Sequence, residues 1–183
     1  MKRFKILIIA VIIIITAIAY YQLDKQLSYY GRNNLHIYHL LPYNVEPDYQ
    51  PPFEGGFALR QEDGFSIAGK GVSYTVNNKK IWINEVLKYG FHKQNLIAFV
   101  TDSNRTEYYV KFNQGHSSSS EINGTIMFDN KEANSNQYQW IKIVGNDGYI
   151  LNLALWRNCL MFIAIGLFLV LIYVLVKHRR KTS

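Results

Sequence analysis

From Asn158 to Val176 the chain runs for 19 residues without a formal charge. At 1.5 Å of rise per helical residue such a run reaches about 28 Å, close to the roughly 30 Å hydrocarbon core of a bilayer. Lipid offers backbone N–H and C=O groups no partner, so a lone spanning segment must be a helix, which pairs them internally. Trp156 and Arg157 stand at one end, and Tyr173 with Lys177, Arg179, Arg180 and Lys181 at the other. Aromatics and cations take these places at membrane interfaces. The sequence therefore predicts a transmembrane helix over 156–176 and a basic cytoplasmic tail over 177–183.

A second apolar run, Ile6 to Tyr20, nears spanning length when it is extended to Leu23, with Lys5 reaching back to the headgroups. It has two readings. A basic start at Lys2, Arg3 and Lys5, an apolar stretch and the triplet Ala17-Ile18-Ala19 fit a secretory signal over 1–19, cut before Tyr20. No Gly or Pro breaks the helix before that triplet, and the apolar pattern continues through Leu23, Leu27 and Tyr30 to a stop at Gly31. A retained helix over 6–23, preceded by cytoplasmic residues 1–5, is the preferred expectation.

Charge fixes the orientation of these segments. All 13 acidic residues fall between Asp24 and Asp147, with 12 of the 20 Lys and Arg, so the centre is almost neutral and the net +7 belongs to the ends. Basic residues collect on the cytoplasmic side of membrane helices, which predicts both termini inside and the centre outside the cytoplasm. Cations beside a membrane helix attract anionic headgroups by about 1 kcal/mol each, so membrane lipids are expected partners and nucleic acid is not. The sole cysteine, Cys159, lies in the second apolar run, which excludes an intramolecular disulfide and a thiolate zinc site. An outer domain without disulfides favours a bacterial cytoplasmic (inner) membrane over a secreted eukaryotic setting. Asn104 and Asn123 head glycosylation triplets and read as ordinary loop residues.

Residues 24–55 carry Pro42, Pro47, Pro51 and Pro52 and five tyrosines, Tyr29, Tyr30, Tyr38, Tyr43 and Tyr49. Proline interrupts helices and ladders alike, so this stretch is expected to be an irregular, partly extended connector. Over 56–152 short apolar–polar alternations separated by turn residues predict strands. They fall at Phe57–Arg60, Phe65–Ala68, Val72–Val76, Ile81–Ile83, Leu96–Val100, Glu107–Phe112, Ile122–Phe128 and Tyr138–Val144, the last two as a pair. Asn77-Asn78 suits a tight hairpin, Asn84–Lys88 reads as a helical turn, Asn113–Ser120 as a serine loop, and Gly145–Gly148 as a turn. The expected fold is a mainly β extracytoplasmic domain, an antiparallel meander curled into a small sandwich or partial barrel, flanked by two transmembrane α-helices.

Catalytic patterns are weak. His36 and His39 share a face only on a helix, and the neighbouring Pro42 favours extended chain; His92 reads as solvated. His116 adjoins Ser117 to Ser120, but serines in a polar loop lack the oriented base and oxyanion donors that acyl transfer needs. Glu62-Asp63 and Glu46 with Asp48 read as turn carboxylates, and Gly64, Gly69 and Gly71 lack the ending of a phosphate loop. No metal, cofactor or enzymatic activity is expected. Tyrosine, at 14 residues, is the stronger signal, because it gives contact area at low entropic cost. Trp82, Tyr89, Phe91 and Tyr109 are the candidate protein-binding residues, the last predicted on the polar side of its strand; the competing reading has Trp82, Tyr89 and Phe91 filling a small core.

Gly56-Phe57-Ala58-Leu59, Asp63-Gly64-Phe65-Ser66-Ile67, Val86-Leu87-Lys88-Tyr89-Gly90-Phe91, Leu96-Ile97-Ala98-Phe99-Val100 and Glu107-Tyr108-Tyr109-Val110 together form a pattern. Over residues 56–112 it resembles that of small uncharacterised bacterial envelope β-domains, often membrane-tethered. The resemblance implies one β unit and brings no activity or site. The functional expectation is a non-catalytic membrane protein presenting its outer domain to an envelope or membrane protein, as an immunity protein, an envelope assembly factor or a membrane-complex subunit. The alternative is an envelope enzyme acting on lipid or cell-wall substrate.

Overall fold

Both apolar runs are helical. α1 spans Lys2–Ser28 and α2 spans Asp147–Arg179 in the computed structural model, which describes residues 2–49, 56–114, 122–127 and 136–179. Each contains a stretch long and apolar enough to cross a membrane, Ile6–Ser28 and Asp147–Lys177. Only 6% of the first apolar window and none of the second is buried, so neither is the core helix of a globular domain. α2 begins nine residues before the expected start at 156, because Asp147 places a carboxylate in the first turn, where unpaired N–H groups favour negative charge. The predicted turn at 145–148 shortens accordingly to Val144-Gly145. α1 stops where Gly31, at φ +65°, donates its N–H to the Ser28 carbonyl at 3.1 Å. A Cβ at Gly31 would lie 2.7 Å from the Asp48 carbonyl carbon, so only glycine permits that backbone approach.

Two compact units result: residues 1–27 with 149–183, and residues 28–148. The second is built on strands. β1 (Glu46–Tyr49), β2 (Phe57–Arg60) and β3 (Ser66–Ala68) form an antiparallel sheet in that order. β1 corrects the expectation of an irregular connector. Pro47 lies opposite Leu59 on an edge strand, where a missing N–H breaks no ladder.

The larger antiparallel sheet runs β4 (Ser73–Val76), β5 (Lys79–His92), β6 (Asn95–Asp102), β7 (Glu107–Gln114) and β8 (Ile122–Met127), and β9 (Gln139–Lys142) joins it through β5. The Asn77-Asn78 hairpin has positive φ at both residues, 48° and 62°, as expected. Two expectations are overturned. Asn84–Lys88 is no helical turn but part of β5, bulged between Ile83 and Glu85 and between Val86 and Lys88. Ile122–Phe128 and Tyr138–Val144 do not pair, since β9 takes the edge of β5 at Lys88–Phe91. That edge is open because β4 covers only Lys79–Trp82 of a 14-residue strand. Most of the serine loop, at 115–121, lies outside the described residues, as does 128–135.

Inward-facing Val86, Tyr89, Ala98, Val100, Val110 and Phe112 are all fully buried and form the interior of this curled sheet. The sheet is nearly closed. A Cβ at Gly124 of β8 would strike the Tyr74 ring of β4, and the Tyr74 hydroxyl donates to the Ile67 carbonyl of β3. The fold is thus a β-rich, barrel-like antiparallel region between two apolar helices. Gly124→Val is expected to destabilise it by about 1–3 kcal/mol through overpacking at this closure. A thermal-melt comparison with Gly124→Ser reads this: both should melt lower, valine further, and an unchanged melt would show the contact to be slack.

Candidate functional site

Alternation decides where Trp82 points. Ile83 is 2% exposed and Tyr74 is 9% exposed on the inner face, so Trp82 emerges on the outer face with Lys80 and is 51% exposed. Turning it inward would slip the register and expel the isoleucines. Its cross-strand neighbour is Ser73, and that of Lys80 is Thr75, so nothing bulky on β4 covers the ring. The Lys80 ammonium sits 4.5 Å from the ring centroid and steadies it by a cation–π contact.

Beside Trp82 the hairpin meets the β6–β7 turn, and a hollow of about 400 Å³ opens between Val76–Trp82, Asp102–Asn104 and Tyr108. Asp102 builds this turn. Its Oδ1 accepts the N–H groups of Asn104 and Thr106, both at 2.8 Å, and its Oδ2 accepts the Tyr108 hydroxyl at 3.4 Å. Asp102 is 8% exposed, so the one carboxylate lining the hollow among the described residues is committed to the turn. Among the described residues, Lys79 and Lys80 are the exposed cations at its rim.

The other three predicted binding residues lie elsewhere, which corrects the idea of one exposed patch. Tyr89 is fully buried, stacks on Phe57 at 5.7 Å, and donates its hydroxyl to the Tyr29 carbonyl at 2.7 Å. Phe91, half-buried, stacks on Tyr29 at 5.7 Å. Both belong to packing, as the competing reading had it for them though not for Trp82. Tyr109 does point away from Val110 and Phe112, but it is 8% exposed because its face carries an apolar cluster of its own.

That cluster follows from register. Lys88, Phe99, Tyr109 and Met127 lie side by side across four strands, and Trp140 of β9 covers Gly90, where a Cβ would come within 2.8 Å of the indole. The Lys88 ammonium lies 4.5 Å from Trp140, 5.2 Å from Phe99 and 5.7 Å from Tyr109. Its charge is thus held in a ring of aromatic faces, each contact worth about 0.5–1 kcal/mol or more when dry. Sequence reasoning missed it, because the β5–β9 pairing that brings in Trp140 leaves no local signal.

His36 and His39 lie in exposed, non-helical chain, and His92 ends β5; His116 is outside the described residues. Among the described residues no three His, Cys, Asp or Glu side chains are grouped to hold a metal. A cavity of about 270 Å³ near His36, Glu46 and Glu62 also contains Asp48 and Arg60, which bind each other at 2.9 Å.

Within the helical unit, Arg157 of α2 donates to Asp24 of α1 at 2.9 Å, the side chains being 8% and 0% exposed. Gln26 also donates to the Tyr149 hydroxyl. The uncharged runs of both helices, Ile6–Leu23 and Asn158–Val176, end at this ion pair. Sequence reading had treated Arg157 as an interfacial cation and given Asp24 no partner. In comparisons with known proteins, the chain matches no family model, no curated protein and no solved structure.

Proposed function

We propose that this chain is a two-pass protein of a bacterial cytoplasmic membrane, with both termini in the cytoplasm, and that its β domain acts outside as a non-catalytic protein-binding module. The membrane part of the reading is supported by two exposed apolar helices with basic outer flanks. The binding part is carried by Trp82, a half-exposed indole fixed on a strand at the lip of a hollow. Isolated exposed apolar residues are ordinary, but tryptophan is one of the residues enriched among the anchors of protein interfaces.

The reading has two tests in living cells. A reporter that fluoresces only in the cytoplasm, fused after Ser183, should light up; a dark fusion, with an enzyme reporter that works only outside the cytoplasm active at the same position, would sink the topology. A photo-crosslinking residue at the exposed Thr75, beside Lys80 on the Trp82 face, should capture protein in preference to one at Phe65, which is 75% exposed on the β2–β3 connection. Capture of no protein from any exposed position of the domain would end the binding reading.

A further inference from the structure

We infer that the hollow beside Trp82 takes an acidic protein segment, with one apolar side chain laid on the indole and carboxylates met by Lys79 and Lys80. This rests on the protein-binding reading above and names its partner's chemistry. The charge argument is local. Both lysines line the hollow and are exposed, while the carboxylate among the lining residues, Asp102, is buried and holds two backbone N–H groups and a tyrosine hydroxyl. An anion entering here meets two exposed ammonium groups, while the Asp102 carboxylate is drawn into its turn by these donors.

The apolar half follows from the indole. Trp82 is 51% exposed, and Lys80 already stands over its ring at 4.5 Å, so aromatic surface and cation are presented together without further ordering. Preorganisation of this kind lowers the cost of binding. Concavity separates a protein partner from an anionic lipid surface. A flat headgroup layer leaves a depression of about 400 Å³ unfilled, whereas a side chain on a peptide enters it. Asn77 and Asn104 at the rim offer amides to a peptide backbone.

The test uses the full chain in nanodiscs of zwitterionic lipid. The probes are a fluorescent peptide of glutamate and serine with one central leucine, the same peptide with glutamine for glutamate, and phosphatidylglycerol vesicles. The acidic peptide should bind, weakening as salt rises, and the glutamine peptide should not. Trp82→Ala should weaken binding by about 10-fold or more, as loss of an interface anchor does. Lys79→Gln with Lys80→Gln should weaken it several-fold and flatten the salt response. Both lysines are exposed, and Trp82→Phe, which keeps an aromatic ring and should retain most of the binding, guards against a folding artefact.

Equal binding of the glutamine peptide, an unchanged affinity in Trp82→Ala, or binding of the vesicles in place of the peptide would each overturn the inference. Mapping the Thr75 crosslink separates its failure from that of the broader reading. A crosslink within a stretch rich in aspartate and glutamate supports it; one within neutral or basic sequence rejects the acidic partner while protein binding stands.

Discussion

Asp24→Leu alone is expected to destabilise the helix pair by about 3–5 kcal/mol, because it strands the buried Arg157 guanidinium without its counter-charge. Arg157→Leu should cost a similar amount for the mirror reason. The double leucine variant should recover most of the loss, since two apolar side chains leave no desolvated charge behind, and the exchanged pair, Asp24→Arg with Arg157→Asp, should recover part. The geometry supports a strong coupling: the contact is 2.9 Å and both side chains are shielded. Charges shielded from water are costly unless paired, so the ion pair favours one mate for each helix more than it adds net stability. A double-mutant cycle by thermal unfolding in detergent measures it. Simple addition of the two single losses in the double variant would show that the residues act independently.

Tyr89→Ala should be comparably damaging, at about 3–5 kcal/mol, since it empties a fully buried site between Phe57 and Phe91. Tyr89→Phe keeps the ring and leaves the Tyr29 carbonyl without that donor, for about 1–3 kcal/mol. The hydroxyl also gives the domain an alkaline limit. Burial above all, then the nearby Tyr29 and Tyr30, holds the Tyr89 phenol in its neutral form well above the ordinary range, and burial does the same to Tyr74. A pKa raised in the folded state favours the protonated form there. The associated stability is therefore complete below the unfolded value, about pH 10, and drains away as pH climbs beyond it. Denaturant titrations at stepped alkaline pH should show wild type losing stability faster than Tyr89→Phe above that point. Parallel curves for the two proteins would refute the assignment.

Much of this fold was legible from local chemistry. Asn77-Asn78 marked its hairpin because asparagine tolerates positive φ, and Val110 and Phe112 marked the inner face of β7 by strict alternation. β5 was misread for a specific reason. Its buried residues Ile83, Val86 and Tyr89 are spaced by three, a helix-like interval, because each bulge inserts one residue into what would have been a spacing of two. Pro47 hid β1, since a proline permitted on an edge strand looks the same in sequence as one that forbids a strand. Within the site, the outward turn of Trp82 follows from the flanking Ile81 and Ile83. The hollow does not, because Asp102 and Tyr108 reach it through pairing between β5, β6 and β7 rather than through proximity along the chain.

The place of β9 governs when the domain can finish. Its partner on β5 is made about fifty residues earlier, and only Ile143 to Asn146 separate it from the start of α2. During synthesis the hairpins from β4 to β8 have every neighbour at hand, while one border of β5 waits. The Trp140 indole, and with it part of the aromatic shelter around Lys88, arrives only as the ribosome begins α2. Late, distant pairings are slow to form. A nascent chain arrested before Gln139 should therefore be open to protease along β5, and release of the completed chain should seal it.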